Sequence, residues 1–282
     1  MRRNFSILLT AIFLAACATT PLAPPPDWAA WQAKRNESIG GTNGWTTLVG
    51  LRWLKEGANQ IPENIGVFTR TGTNVAFTAA AGADIRVNGI SIQQTNMISD
   101  VVTNPTRLQI GPISIVAIQR GERLGLRVRD PNSERRTHFT GLKWFPYNPK
   151  LRVEGRFEPF ATPRKMFVND VTGAVQELVS PGAVVFKAGG NRCRLDVVEE
   201  PDEEEYFLLF RDKTTGHETY PAGRFLYFAR PGADQRVTID FNHAFTPPCG
   251  FTDFATCPIP PPQNSLRIRI DAGELNPHHA AH

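Results

Sequence analysis

The side chains with the greatest chemical potential lie in the C-terminal third of the chain. His243 follows Asp240 by three residues and precedes Cys249 by six. Hydrolases and thiol-dependent enzymes use such a set, in which a carboxylate orients an imidazole beside a thiol. No Gly-x-Ser-x-Gly elbow, His-Glu-x-x-His pair or phosphate-binding glycine loop accompanies them. The three residues are therefore weak catalytic candidates, and the sequence favours a non-catalytic protein.

Ligand binding is a second interpretation of the same segment. Groups of both charges, an amide, an imidazole and a phenol beside a proline-cysteine loop could orient a small polar or anionic ligand. Alternatively, these groups brace irregular loops, with Arg224 capping carbonyls, Asn264 holding a turn and Tyr220 tying a strand corner. Buried polar groups need partners whether or not a ligand exists. The ligand-binding candidates are Tyr220, Arg224, Asp240, Asn242, His243, Asn264 and Glu274.

Four cysteines set a further constraint. Cys249 and Cys257 lie eight positions apart in a proline-rich segment, and they are the candidate disulfide pair in an oxidising compartment. Closing so small a loop would stabilise the fold by roughly 2.5 kcal/mol. In the alternating run that begins at Cys193, its side chain lies on the same face as the apolar Leu195, which predicts a buried, inert thiol.

The remaining motifs predict no metal and no cofactor. The acidic run 199–205 lacks the Asp/Asn alternation and the central glycine of a calcium loop, so it is interpreted as a solvated hairpin tip. His278, His279 and His282 belong to a polar terminus, where metal binding would be adventitious.

The N-terminus predicts where the protein resides. Arg2 and Arg3 precede a short apolar run, and residues 14–17 read Leu-Ala-Ala-Cys. This is the pattern of a bacterial lipobox, in which Cys17 is lipidated and residues 1–16 are removed as a signal peptide. Ala18 follows the cysteine in place of the aspartate that commonly retains lipoproteins in the inner membrane. We therefore expect a lipid-anchored protein of the outer membrane that faces the periplasm.

Composition bounds the fold and the partners. The formal net charge of +4 falls to +2 once residues 1–16 are removed, which argues against nucleic acid as a partner. Glycine and proline each number 23, and apolar residues are scattered in short alternating runs. This pattern predicts an all-β, mainly antiparallel fold of two packed sandwich-like or barrel-like units with a short N-terminal helix.

The elements follow in a definite order. A proline-rich tether at 17–26 is predicted to lead into a helix near Asp27–Ser38, with Asp27 as its N-cap. The helix and the first β unit fill 27–145, the second β unit fills 150–274 and a loose tail fills 275–282. The first unit contains a hairpin around Gly121. The second has strand candidates at 153–157, 165–169, 184–187, 194–198, 206–212, 225–229, 237–241 and 266–270.

Three parts of the mature chain carry a family resemblance. They are Gly50 to Leu54, Phe139 to Pro146 and, most specifically, Tyr220 to Glu274. The chain resembles the bacterial and archaeal domain-of-unknown-function family sixteen eighty-four. The family usually has Tyr-Asn-Pro-Pro-Cys-Ala where this chain has Phe-Thr-Pro-Pro-Cys-Gly at 245–250. The resemblance implies a shared β fold and implies no activity.

Three functions stay open at this level. The favoured one is a non-catalytic envelope lipoprotein that binds a small polar ligand or an envelope protein, since a β-rich body on a lipid anchor suits display at a membrane. The second is a periplasmic hydrolase or thiol-dependent enzyme that uses the 220–257 region. The third is a purely structural or assembly lipoprotein.

Overall fold

The computed structural model describes residues 24–61, 64–200 and 203–277. The predicted signal peptide, Cys17, most of the predicted tether and the terminal histidines lie outside these ranges. The first element is helix α1, Pro26–Gly40. Its N-cap is Pro25 and no side chain caps it, so the predicted Asp27 cap is wrong. The helix begins earlier because Pro26 occupies its first turn, where the missing N–H is no loss, and Asp27 contributes its charge to that turn.

Two sheets packed face to face form the first β unit. One has the order β1-β10-β9-β8-β5-β6 and the other has the order β2-β3-β4-β7, with antiparallel pairing throughout. The strands are β1 (Leu48–Trp53), β2 (Gly57–Gln60), β3 (Gly66–Thr71), β4 (Asn74–Ala79), β5 (Arg86–Val87), β6 (Ile90–Ser91), β7 (Gln94–Asn96), β8 (Arg107–Ile110), β9 (Ile113–Arg120) and β10 (Arg123–Arg129).

Alternating apolar side chains build the core of this sandwich. Phe68 and Phe77 of one sheet pack with Leu108, Ile115 and Leu126 of the other, all fully buried. The predicted hairpin is β9–β10, with Arg120 opposite Arg123. Its turn uses Gly121 at a φ of 59°, a left-handed conformation that glycine adopts without strain. A one-turn helix, α2 (Glu134–Thr137), follows the sandwich.

The second unit is one sheet that closes almost into a barrel. Its order is β16-β15-β14-β12-β11-β17, and β13 also pairs with β12. The strands are β11 (Arg152–Asn169), β12 (Val175–Ala188), β13 (Asn191–Asp196), β14 (Val198–Glu199), β15 (Glu205–Phe210), β16 (Arg224–Ala229) and β17 (Arg236–Asp240). Its core holds the buried side chains Phe186, Leu208, Phe210, Leu226, Ile239 and Phe241.

Two strand predictions in this unit need correction. The separate strands predicted at 153–157 and 165–169 are parts of the single strand β11, whose pairing with β12 shifts register between Pro159 and Arg164. The strand predicted at 266–270 does not form. Its backbone is bonded to the segment after β15 and to nearby side chains: Lys213 N–H donates to the carbonyl of Ile268, and Ile270 N–H donates to the Asp212 carboxylate at 2.8 Å. Because these bonds occupy the backbone groups that a neighbouring strand would need, the alternating run does not form a strand.

The predicted all-β class is confirmed. Of the described residues, 46% are in strands and bridges, mostly in antiparallel sheets, and 14% are helical. After β17 the chain runs as irregular loops and short 3₁₀ turns at Phe241–His243, Pro248–Gly250 and Pro262–Asn264. Within the described ranges, no helix has both the length and the apolar character that a membrane crossing requires.

Candidate functional site

Arg224 lies at the first residue of β16 and is fully buried. Its guanidinium donates to the Asp212 carboxylate at 3.2 Å, to the carbonyl of Ile270 at 2.9 Å and to the carbonyl of Ala272. Burial lowers the pKa of Arg224, and the charge of Asp212 opposes that shift. Arg224 therefore pins the irregular 266–272 segment to the barrel, which is the bracing role that the sequence left open.

Glu274 is also fully buried and ties helix α1 to the barrel end. Its carboxylate accepts from Arg35 Nε at 2.6 Å and from Thr246 N–H at 2.8 Å. Arg35 also donates to the carbonyl of Thr246 at 2.7 Å. Burial raises the pKa of the Glu274 carboxyl, and the charge of Arg35 works against that rise. The Glu274 side chain has no exposed surface, so with Arg35 it serves as a clasp between the helix and the barrel end.

Three further candidates bond to backbone. Asn242 accepts from Asn148 N–H at 2.8 Å and donates to the carbonyl of Asn148 at 3.0 Å. Asn264 accepts from Asp196 N–H and donates to the carbonyls of Asp196 and Leu209. The Tyr220 hydroxyl donates to the carbonyl of Cys249 at 2.9 Å. Each one joins segments distant in sequence, as buried polar groups in irregular loops must.

The catalytic candidates are not assembled into a triad. His243 Nδ1 lies 3.8 Å from Asp240 Oδ2, beyond hydrogen-bond distance, and its ring packs edge-on against Trp31. β17 ends at Asp240, whose carboxylate accepts from Asn242 N–H and so starts a 3₁₀ turn. Asp240 therefore ends the strand and Asn242 lies in the turn that follows it. Among the described contacts, none joins Cys249 to His243 or Asp240.

The predicted cysteine pair is brought together without a covalent bond. Both Cys249 and Cys257 are free, and Cys249 N–H donates to the sulfur of Cys257 at 3.3 Å. The hydrogen bond between the two thiols lowers the pKa of Cys249 and, together with burial, raises the pKa of Cys257. Cys193 is free and buried, as predicted. In the described part of the chain, no three or more His, Cys, Asp or Glu side chains are grouped to hold a metal ion.

A cleft between the sandwich and the barrel offers a different site. Its volume is about 480 Å³, a size that suits a small ligand. A neighbouring cavity of about 450 Å³ shares Arg35, Tyr227 and Phe245 with it and extends along helix α1 to His243. The cleft is lined by residues from α1, the sandwich, the barrel and the proline-rich loop, among them Trp45, Arg127, Gln176, Glu200, Phe207 and Cys257.

Arg127 is the least satisfied cation that lines this cleft. It lies on β10 with its side chain 13% exposed, and its Nε has no hydrogen-bond partner in the part of the chain that the structure describes. The nearest carboxylate is Asp100, 3.8 Å from Nη1, and that carboxylate already accepts two bonds from Arg120 at 2.9–3.0 Å. Burial, and then the charge of Arg120, lowers the pKa of Arg127 to about 10. Arg127 therefore remains charged at neutral pH with too little counter-charge.

Aromatic rings line the barrel side of the cleft. Tyr227 stacks between Phe207, at a centroid distance of 4.9 Å, and Phe245, at 6.0 Å. Its hydroxyl donates to Glu200 at 2.9 Å, and burial raises the pKa of the Glu200 carboxyl. On the sandwich side, the Arg127 guanidinium lies 5.4 Å from the ring of Trp45. The cleft can therefore hold an apolar, ring-bearing ligand beside a cation.

Cys257 lines this cleft, but the sequence pattern did not point to Arg127 or Tyr227. Arg127 reads as an exposed residue of a half-solvated strand, since it alternates with Leu126 and Val128. Tyr227 belongs to an aromatic run whose pattern predicts only a buried core strand. No sequence signal brings the two together, because they are a hundred residues apart and belong to different β units.

The fold and this cleft define a two-unit, all-β protein with a ligand-sized opening between its units. Residues 137–275 match the family described as "Protein of unknown function (DUF1684)". Over this range the chain is a member of that family, as the resemblance at Phe139 to Pro146 and Tyr220 to Glu274 indicated, and the description assigns no activity. The matched range contains the barrel and the loops after it, whereas α1 and the sandwich precede it.

Comparison with solved structures finds the solution NMR structure of an uncharacterized protein from gene locus rrnAC0354 of Haloarcula marismortui. It is 28% identical, covers 51% of this chain and 81% of that chain, and has a TM-score of 0.44. The search of curated proteins finds no match.

Proposed function

We propose that this protein is a lipid-anchored protein of the bacterial outer membrane that faces the periplasm and binds a small ligand in the interunit cleft without catalysing a reaction. The observation that carries the binding proposal is Arg127, whose Nε is buried and unpaired at the cleft. Unpaired Nε atoms also occur at Arg136, Arg211 and Arg224, but of these four arginines only Arg127 lines the cleft, where an anionic group of a ligand would offset its charge.

The location of the cleft also supports binding. Small-molecule sites often lie where structural units meet. This cleft is lined by side chains from α1, both β units and the proline-rich loop. Pro248 and Cys257 of the loop line the cleft, so the segment 220–274 forms part of its wall. Its polar residues Arg224, Asn264 and Glu274 hold that path in place.

The anchoring proposal rests on the lipobox at 14–17. Cys17→Ser should move the protein from the membrane fraction to the soluble fraction, since it removes the acceptor of the lipid. Cys193→Ser is the matched control, because this thiol is buried in the barrel and should leave fractionation unchanged. If the Cys17→Ser protein remains in the membrane fraction, the proposed anchor is wrong.

The binding proposal is tested by thermal shift of the full chain in detergent against a set of periplasmic metabolites. A ligand that binds only the folded state raises Tm in a concentration-dependent way. We expect at least one compound to do so and expect Phe245→Ala, which removes part of the cleft wall, to weaken the shift. If no compound shifts Tm, the structural or assembly role becomes the better account.

A further inference from the structure

We propose that the ligand of the interunit cleft is a small monoanion with an aromatic body, held by Arg127 at its charged end and by the rings around Tyr227 along its apolar part. This inference rests on the proposed binding function and assigns the chemical class of the ligand. A carboxylate or a sulfonate would satisfy the charge requirement equally.

The charges at the sandwich wall call for one negative group. Arg120 and Arg127 share the single carboxylate of Asp100, and both oxygens of that carboxylate bond to Arg120. Arg127 Nε has no hydrogen-bond partner among the described residues. Because Nε itself is enclosed, an anionic group in the cleft would meet Arg127 at its Nη groups, where it would neutralise the excess charge.

A purely structural role for Arg127 is poorly supported. Arg224 is fully buried and is tied to the carbonyls of Ile270 and Ala272, although its Nε is unpaired like that of Arg127. Arg129, two residues along the same strand, donates to the carbonyls of Asn43 and Gly44. Arg127 has no such bond, so its burial costs stability in the free protein and brings no bracing contact in return.

The apolar part of the ligand is assigned from the opposite wall. Phe207, Tyr227 and Phe245 form a stacked row, and Phe225 packs edge-on against Phe207 and Phe245. Rings arranged in this way accept a further ring by offset stacking or by an edge-to-face contact. Trp45 provides a ring beside the Arg127 guanidinium. An aromatic anion fits both walls at once.

The test compares three probes by isothermal titration calorimetry on the full chain in detergent. Phenylacetate carries the charge and the ring, phenylacetamide has the ring without the charge, and octanoate has the charge without the ring. We expect phenylacetate to bind about 10- to 100-fold more tightly than phenylacetamide, the scale of charge-assisted hydrogen bonds to one guanidinium. Binding of octanoate as tight as that of phenylacetate overturns the aromatic assignment.

The matched variants are Arg127→Met and Arg107→Met. Arg107 is an exposed arginine on β8, so its loss removes the same formal charge away from the cleft. Arg127→Met should abolish the preference for phenylacetate over phenylacetamide and should raise the Tm of the free protein, because a buried unpaired cation is replaced by an apolar side chain. Arg107→Met should change neither quantity.

The outcomes separate the class of ligand from the proposed function. An acid-over-amide preference that persists in Arg127→Met overturns the assignment of Arg127. A neutral or cationic metabolite that binds wild type and Arg127→Met equally overturns the anionic class while the binding function stands. If neither these probes nor the metabolite set bind, both proposals fail.

Discussion

Arg224 offers the sharpest test of what the C-terminal segment does. Arg224→Met removes a fully buried cation and leaves the Asp212 carboxylate buried beside it. Breaking a buried ion pair by deleting one partner costs about 3–5 kcal/mol. Asp212 keeps its bonds from Thr214 and from Ile270 N–H, which lowers that cost, whereas the carbonyls of Ile270 and Ala272 lose their donor.

We therefore expect the free energy of unfolding to fall by about 4 kcal/mol. For a protein of this size, each kcal/mol corresponds to about 2–4 °C, so Tm should fall by about 8–16 °C. The assay is urea unfolding followed by far-ultraviolet circular dichroism, with the slope m compared between variants. The double variant Arg224→Met/Asp212→Asn is the control, because it removes both charges and should recover part of the loss.

The refuting result is equally definite. A loss below about 1 kcal/mol at unchanged m, a small fraction of the 3–5 kcal/mol expected for a broken buried pair, would show that Arg224 does not brace the fold. If such a variant also lost binding of a cleft ligand, the segment 220–274 would itself be the binding surface and the role assigned to Arg224 would be wrong. Loss of stability with retained binding per folded molecule supports the assignment made above.

Three further predictions follow from the titratable groups. Arg35→Met should lose more stability at pH 8 than at pH 5. Burial raises the pKa of Glu274, and the stability contributed by its protonated form is lost as pH rises through that pKa, so the missing Arg35 matters most at high pH. An equal loss in denaturant titrations at both pH values contradicts the Arg35–Glu274 clasp. Under oxidising conditions Cys249 and Cys257 should form the bridge that the sequence predicted, and mass spectrometry after alkylation should find both protected; two alkylated thiols would exclude it. A sulfonate analogue should bind more tightly as pH falls through the raised pKa of Glu200, since protonation removes a negative charge from the cleft. Glu200→Gln should abolish this dependence, and a pH-independent affinity in wild type contradicts the role given to Glu200.

Local sequence signals predicted the structure correctly where neighbouring segments supply each other's backbone hydrogen bonds. The hairpin at Gly121 follows from strict alternation and one glycine, and both survive in β9 and β10. The run at 266–270 alternates just as cleanly, yet it is not a strand. Side chains from β16 and from the turn after β15 bond to its backbone, and alternation carries no information about such competing partners.

The sequence by itself determined the β class, the N-terminal helix, the close approach of Cys249 and Cys257 and the choice of buried polar residues that hold the loops. These depend on periodicity, turn chemistry and the need of buried polar groups for partners, which are local properties. Only the tertiary structure decided the cleft. It arises because sheets from two β units meet, so that Arg127 and Tyr227 line one cavity. The pattern of one strand indicates which of its faces is buried, but it does not indicate which distant strand will face it. The cleft therefore depends on how the two units pack.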